Sequence, residues 1–153
     1  MKTSKKLLLL AAITLFSVLC SFMAPAGGEG FEIYVDNKLV IQKFNKEMNR
    51  TINLDLSKTR AKAMLDVKFY HCGMAGSDRV LTIKDVSGKL LKQWQFANSG
   101  GKNYTISIPV NEIFDIQRKT GDASIYLYYA SKETTQAKLL TAIVKTAAKT
   151  AAR

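Results

Sequence analysis

Hydrophobic and polar residues alternate along most of the chain, with the two-residue period that is typical of strands with one buried face. The pattern is clear wherever Ile, Leu or Val occupies every second position between polar side chains. It predicts strands at 31–35, 39–44, 51–56, 64–71, 79–85, 90–96, 104–110 and 123–130. Residues 138–144 are either a last strand or the start of a helix that continues into the alanine-rich end of the chain.

Short polar connections between these segments predict two antiparallel hairpins. Asp36 and Asn37 separate the first two segments, and a two-residue connection of these types forms a tight turn. The sequence VSGK at 86–89 separates the fifth and sixth segments, and Gly88 supplies the positive φ that such a turn often requires. We therefore expect each pair of segments to be neighbours in a sheet.

One segment breaks the alternation. In residues 111–117 the apolar side chains recur at roughly helical spacing, and Asn111 stands where a helix cap is expected. We predict one short helical turn that ends near Gly121. About eight strands with little helix indicate an all-β fold, a two-layer antiparallel β-sandwich of the immunoglobulin-like or jelly-roll type. A barrel is the alternative architecture, because strand counts alone do not separate the two.

The first 26 residues have the three-part layout of a secretory signal peptide. Three lysines precede an apolar run of 13 residues at 7–19, and small residues follow. A membrane-spanning helix needs about 20 apolar residues, and no second apolar stretch follows this run. We expect cleavage after Ala26, a secreted or periplasmic location and one sandwich domain over residues 27–144. A lipid anchor at Cys20 is the alternative, disfavoured because Leu19 is large for a lipoprotein processing site.

Positive charge is the main signal in the composition. The chain has 23 basic and 12 acidic residues, a net charge of +11, and removing the three lysines of the signal peptide leaves +8. Residues 145–153 form a basic tail rich in alanine and lysine. Such a surplus favours polyanions and acidic membrane surfaces, and it also arises simply as a solubilising end of the chain. The candidate polyanion contacts are Lys138, Lys145, Lys149 and Arg153.

The sequence VKFYHCG at 67–73 holds the only histidine of the chain and, beside it, the only cysteine outside the signal peptide. Adjacent residues of a strand point to opposite faces, so His71 and Cys72 are not placed to share a proton. We interpret His71 as the inward-facing end of a core strand and Cys72 as the start of a turn, with a buried thiol as the default. No catalytic residue, metal site or cofactor motif is predicted, since one histidine and one cysteine do not make a zinc site.

Aromatic side chains are the remaining candidates for ligand contact. Tyr126 and Tyr128 lie on the strand face opposite the core residues, and exposed rings beside lysines stack on sugars or bases. Packing within a partly covered sheet is the other interpretation of these rings. The candidate ligand-binding residues are Trp94, Tyr104, Tyr126 and Tyr128.

The stretches FEIYVDNKLV, FYHCG, WQF and LYYASKE, within residues 31–144, make the chain similar to a group of small secreted bacterial proteins. The resemblance implies a secreted β-sandwich and no substrate, cofactor or catalytic residue. The sequence therefore favours a non-enzymatic binding or structural module at the cell envelope that contacts a glycan or a protein, with nucleic acid disfavoured as a partner. The alternatives are polyanion binding through the basic tail and a hydrolase with dispersed carboxylates such as Glu32, Asp66 and Glu112.

Overall fold

A computed structural model describes residues 28–98 and 104–145 of the chain. These residues form two β-sheets and one α-helix, a sandwich-like all-β fold. Their strands are β1 (Gly30–Val35), β2 (Lys38–Phe44), β3 (Asn53–Asp55), β4 (Met64–Tyr70), β5 (Val80–Lys84), β6 (Leu90–Gln95), β7 (Thr105–Pro109), β8 (Ser124–Ser131) and β9 (Thr134–Val144). A short 3-10 helix, Asn45–Asn49, follows β2, and the α-helix α1 (Val110–Thr120) follows β7.

The strands are divided between a four-stranded and a five-stranded sheet. The first sheet has the order β2-β1-β4-β7, and its neighbouring strands are antiparallel. The second sheet has the order β3-β9-β8-β5-β6, and only β3 and β9 among its neighbours run parallel. The prediction of a purely antiparallel sandwich is wrong at this pair, because β3 and β9 are far apart in the chain and no hairpin imposes their direction.

The two sheets pack face to face around one cluster of apolar side chains. Every second residue of most strands points inward, as the alternation predicts. Aromatic rings join the sheets: Phe69 in β4 lies parallel to Tyr129 in β8, with ring centroids 4.2 Å apart. The fully buried aliphatic residues include Ile33, Leu65, Val67, Leu81, Ile83, Ile108, Ile113, Ile125 and Leu127.

Both predicted hairpins are present. β1 and β2 are joined by Asp36 and Asn37, whose φ angles are 49° and 63°. Two consecutive positive φ values are typical of the type I′ turn, whose twist suits a two-residue hairpin. β5 and β6 pair across a turn in which Gly88 has a φ of 84°. Local turn residues therefore account for both pairings.

The helix is longer than the sequence predicts, with 11 residues in α1. Its buried residues are Val110, Ile113 and Gln117. Pro109 and not Asn111 occupies the N-cap position, so the predicted cap is wrong. Proline has no backbone N–H, and none is required at the start of a helix. Its φ of −69° is compatible with the direct transition from β7 to the helix. The helix ends at Gly121, as predicted, and this glycine adopts the left-handed conformation that often follows a helix.

Residues 138–144, for which the sequence left a strand or a helix open, belong to the strand β9. β9 begins at Thr134, earlier than predicted, and forms an antiparallel hairpin with β8. The predicted signal peptide and residues 146–153 of the basic tail lie outside the described residues. Within 28–98 and 104–145, no helix is long and apolar enough to cross a membrane.

Candidate functional site

The outer face of the first sheet carries a cluster of aromatic and polar side chains. β1, β2 and β4 contribute residues from outward positions between their buried ones, and a further ring comes from the residue before β7. We call this cluster the aromatic face, and its members are Glu32, Tyr34, Gln42, Phe44, Lys68, Tyr70 and Tyr104. Its residues lie far apart in the chain, so the sheet brings them together.

Glu32 is the polar centre of the aromatic face. The hydroxyls of Tyr34 and Tyr70 each donate a hydrogen bond of 2.8 Å to its Oε2 atom. The side-chain amide of Gln42 donates one of 2.8 Å to its Oε1 atom. Gln42 and Lys68 are also its direct partners on the two neighbouring strands. The carboxylate is therefore held in one orientation by donors from three strands.

These hydrogen bonds keep Glu32 ionised. Partial burial raises the pKa of its carboxyl group, but the donors Tyr34, Tyr70 and Gln42 outweigh burial and hold the pKa below that of a free glutamate. Burial and the bond to Glu32 raise the pKa of the Tyr70 hydroxyl above its usual value. At neutral pH the tyrosines are therefore donors and Glu32 is an acceptor.

Three rings form a row across the same face. The ring centroids of Phe44 and Tyr70 are 6.1 Å apart, and those of Tyr70 and Tyr104 are 4.9 Å apart. Gly30 lies between Phe44 and Tyr70 in the sheet and has no side chain to separate them. The Tyr104 hydroxyl donates a hydrogen bond to the Gly73 carbonyl in the turn after β4. The row is therefore held in place by the sheet and by this turn.

A cation lies beside the rings. The ammonium nitrogen of Lys68 is 4.5 Å from the centroid of the Tyr34 ring, which is a cation–π geometry. Phe44 is 39 % exposed, and Tyr34, Tyr70 and Tyr104 are half-buried. The aromatic face therefore presents partly exposed rings, an ionised carboxylate and an ammonium group on one surface.

The four aromatic residues named from the sequence lie in three different places. Tyr104 belongs to the aromatic face. Tyr126 and Tyr128 point outward on the second sheet, where a lysine ammonium lies 5.0 Å from the centroid of the Tyr128 ring. The indole N–H of Trp94 donates a hydrogen bond of 2.9 Å to Glu112 on α1. The fold therefore does not gather these four side chains on one surface.

Most of the aromatic face was missed by reasoning from the sequence. Tyr34 and Tyr70 occupy the outward positions of strands whose other face is apolar, and this alternation is the one signal that the sequence offers for them. Glu32 and Tyr70 are 38 residues apart in the chain. Their contact depends on the register between β1 and β4, which a single sequence does not show.

Two of the four basic residues named from the sequence are described. Lys138 forms an ion pair with Glu29, with an N–O distance of 3.3 Å. Lys145 follows β9, and its backbone amide donates a hydrogen bond to the carbonyl of Ala123. Lys149 and Arg153 lie outside the described residues. A polyanion would therefore have to compete with Glu29 for one member of this set.

His71 points inward at the end of β4, as the sequence indicates. Its Nε2 atom lies 3.1 Å from the hydroxyl of Tyr129 and 3.1 Å from that of Ser131. Its ring packs against Phe69, with centroids 4.8 Å apart, and burial lowers the pKa of the imidazole. A Cβ at Gly76 would come within 2.5 Å of the Tyr129 hydroxyl, so the backbone there closes this cluster on one side. His71 is therefore packed and hydrogen-bonded within the fold.

Cys72 is exposed, and the expectation of a buried thiol is wrong. Cys72 and Gly73 form the tip of a tight turn, with φ angles of 50° and 83°. His71 and Met74 exchange backbone hydrogen bonds of 2.9 and 3.0 Å across this turn. Because a two-residue turn projects from the sheet, its tip residue meets solvent while His71 stays with the core.

The acidic residues of the described ranges do not assemble a metal centre, since no three His, Cys, Asp or Glu side chains there are grouped to hold an ion. Of the carboxylates considered for a hydrolase, Glu32 and Asp66 lie on the outer face of the first sheet, whereas Glu112 lies on α1.

The chain matches no protein-family model, and no curated protein or solved structure is significantly similar to it.

Proposed function

We propose that the protein is a secreted, non-enzymatic binding module that contacts an envelope glycan through the aromatic face. The observation that carries the proposal is the row of Phe44, Tyr70 and Tyr104 beside the oriented carboxylate of Glu32. Aromatic rings offer flat apolar area, and tyrosine adds a polar end. Sugar rings need both features, because they combine C–H surfaces with hydroxyl groups.

The shape of the site supports an extended ligand. The three rings run from the edge strand β2 across β1 and β4 to the start of β7, on an outer sheet face. A row of rings on a sheet face contacts successive units of a chain, whereas a small ligand is normally enclosed in a concave pocket. A glycan chain lying across the strands therefore fits the row better than a single small metabolite.

The protonation state of Glu32 argues against the role of general acid in glycoside hydrolysis. Glycoside hydrolysis requires one carboxylic acid that holds a proton near neutral pH, which in turn requires a raised pKa. The pKa of Glu32 is instead lowered by its hydrogen bonds, and three of its acceptor positions are already occupied. Glu32 is therefore suited to orienting donors and poorly suited to donating a proton.

The proposal is tested by calorimetric titration with a panel of soluble oligosaccharides and by retention on purified bacterial cell-wall polysaccharide. Tyr70→Ala removes the middle ring and is expected to weaken glycan binding by about tenfold, the order of the loss when an aromatic stacking platform for a nucleic-acid base is removed. Glu32→Gln is expected to weaken binding as well, because it replaces one acceptor oxygen by a donor amide.

The matched control is Tyr128→Ala, the same substitution at an outward tyrosine of the second sheet. This variant is expected to bind as the unmodified protein does. Equal losses in Tyr70→Ala and Tyr128→Ala would remove the aromatic face as the site, and a folded protein that retains none of the glycans would overturn the proposal.

A further inference from the structure

A groove away from the aromatic face runs between α1, the connection after β3 and the end of β9. Its volume of about 400 Å³ lies within the range of about 300–1,000 Å³ that is typical of ligand pockets. The apolar part of its lining includes Leu56, Phe114 and Val144, and the two cations that line it are Arg118 and Lys145. The groove thus combines an apolar surface with positive charge.

The charged lining residues add up to one net positive charge. Asp115 is the one acid that lines the groove, and its carboxylate pairs with the guanidinium of Arg118. Within the described ranges, no carboxylate forms an ion pair with Lys145. One exposed ammonium is therefore available to an anion from outside the chain.

The apolar side chains that line the groove are buried to different degrees. Leu56 is 2 % exposed and belongs to the core cluster. Phe114 and Val144 are half-buried, and both also line the groove. Gln117 lines it too and donates a hydrogen bond of 3.3 Å to the carbonyl of Ile143, which ties α1 to β9. The wall between helix and strand is therefore preformed.

We propose that this groove binds a small monoanionic amphiphile, a free medium-chain carboxylate. Its alkyl chain packs against the partly exposed side chains of Phe114 and Val144, and its carboxylate pairs with Lys145. One carboxylate matches the single net positive charge of the lining, whereas a doubly charged phosphate would leave one negative charge without a partner. Each methylene group that the groove buries is expected to raise affinity by about fourfold. The site is independent of the aromatic face and does not rest on glycan binding.

The test uses the full chain and the fluorescent probe 1-anilinonaphthalene-8-sulfonate. The probe is displaced by decanoate or decyltrimethylammonium below their micelle-forming concentrations, or by decanol below its solubility limit. Decanoate is expected to displace the probe at lower concentration than the cationic analogue of the same chain length. Lys145→Gln should weaken decanoate by about threefold, the effect of an exposed ion pair, and leave decanol unchanged. Lys132→Gln, at an exposed lysine of the β8–β9 turn, is the matched control and should change neither.

A second variant tests the groove without touching a charge. Ala61 is exposed and lines the groove, so Ala61→Trp fills it from the solvent side. Decanoate binding should fall at least tenfold in this variant, while its thermal unfolding stays that of the unmodified protein. Loss of the fold would be recognised in that measurement, and the smaller Ala61→Leu then replaces it.

Several outcomes would overturn the proposal. Equal affinity for decanoate and decyltrimethylammonium would show that the site does not select an anion. Undiminished binding by a folded Ala61→Trp would show that the ligand binds outside the groove. Binding that begins only after residues 146–153 are removed would assign the groove to the chain's own end. Probe release on self-association, seen by sedimentation, would assign it to a second copy. Retention on phosphatidylglycerol vesicles without decanoate binding would assign it to a lipid surface.

Discussion

The ring of Phe44 lies directly over the backbone of Gly30, where an added Cβ would meet the ring at 2.1 Å. Gly30 is the sheet position between Phe44 and Tyr70, so the missing side chain lets the ring cross from the edge strand toward β4. A ring that covers a strand glycine restores packing that the glycine itself does not provide. The aromatic row therefore depends on a residue that is not aromatic.

Gly30→Ala is expected to displace the Phe44 ring and to lower the free energy of unfolding by about 1–3 kcal/mol, the usual cost of overpacking. Urea unfolding followed by circular dichroism measures the change. The same substitution should cost less in a Phe44→Leu background, because the smaller side chain moves more easily. Equal costs in both backgrounds would show that the carbonyl of Lys43, 2.8 Å from the added Cβ, sets the penalty alone.

His71 is expected to make stability depend on pH. Burial lowers the pKa of its imidazole below the ordinary 6.5, although Glu133 and Glu29 oppose the shift. The unfolded chain therefore binds the proton more readily, so the contribution of His71 is complete above 6.5 and is lost as pH falls below it. The free energy of unfolding should therefore decline as the pH falls below 6.5 in the unmodified protein, and His71→Gln should remove that decline.

A second titration at lower pH serves as the internal control for this measurement. Burial alone raises the pKa of Glu133, but hydrogen bonds from the Ser77 amide and its neighbours lower it to about 2. The contribution of Glu133 to the free energy of unfolding is complete above pH 4.5 and is lost toward about pH 2. Because the variant keeps Glu133, this second decline should persist in His71→Gln. A decline of the free energy of unfolding just below pH 6.5 that survives in this variant would contradict the role of His71.

Lys43 is expected to limit both stability and self-association. It is 3 % exposed, and within the described part of the chain its ammonium has no hydrogen-bond partner. Burial lowers its pKa. Lys43 points inward from β2, an edge strand, and an inward charge on an edge disfavours pairing with another molecule.

Lys43→Met should therefore raise the free energy of unfolding by about 1–2 kcal/mol and promote dimers through β2. Urea unfolding and analytical ultracentrifugation measure the two effects. Lys46→Met, at an exposed lysine of the adjoining 3-10 helix, is the control and should change neither. A destabilised monomer in Lys43→Met would show that the buried ammonium is satisfied in the native protein.

The thiol of Cys72 is expected to react with 5,5′-dithiobis(2-nitrobenzoate) in the native protein as fast as in urea, because the tip of its turn is exposed. Release of the coloured thiolate is followed by absorbance in a Cys20→Ser background, so that a single thiol remains. Cys72→Ser in that background should abolish the signal. Slow native labelling that accelerates on unfolding would instead mean that the turn shields the sulfur.

The length of α1 was not predictable from the spacing of its apolar residues. The buried side of α1 includes Gln117, whose amide is bonded to the Ile143 carbonyl of β9. A polar residue on the buried face interrupts the apolar repeat, so the sequence indicates one turn where the structure has 11 residues. Likewise, the expectation that Cys72 is buried was wrong, because its exposure is determined by the tight turn in which it lies, with a positive φ, and not by its hydrophobicity.

Alternation by itself determined which residues of most strands face inward, and turn residues such as Asp36, Asn37 and Gly88 determined the two hairpins, because both are local properties of the backbone. Strand order, the parallel pair β3 and β9, and the meeting of Glu32 with Tyr70 were decided by the tertiary structure. A slip of two residues between strands buries the same apolar face but changes every cross-strand partner, so only the packing of the whole sandwich selects the register that builds the aromatic face.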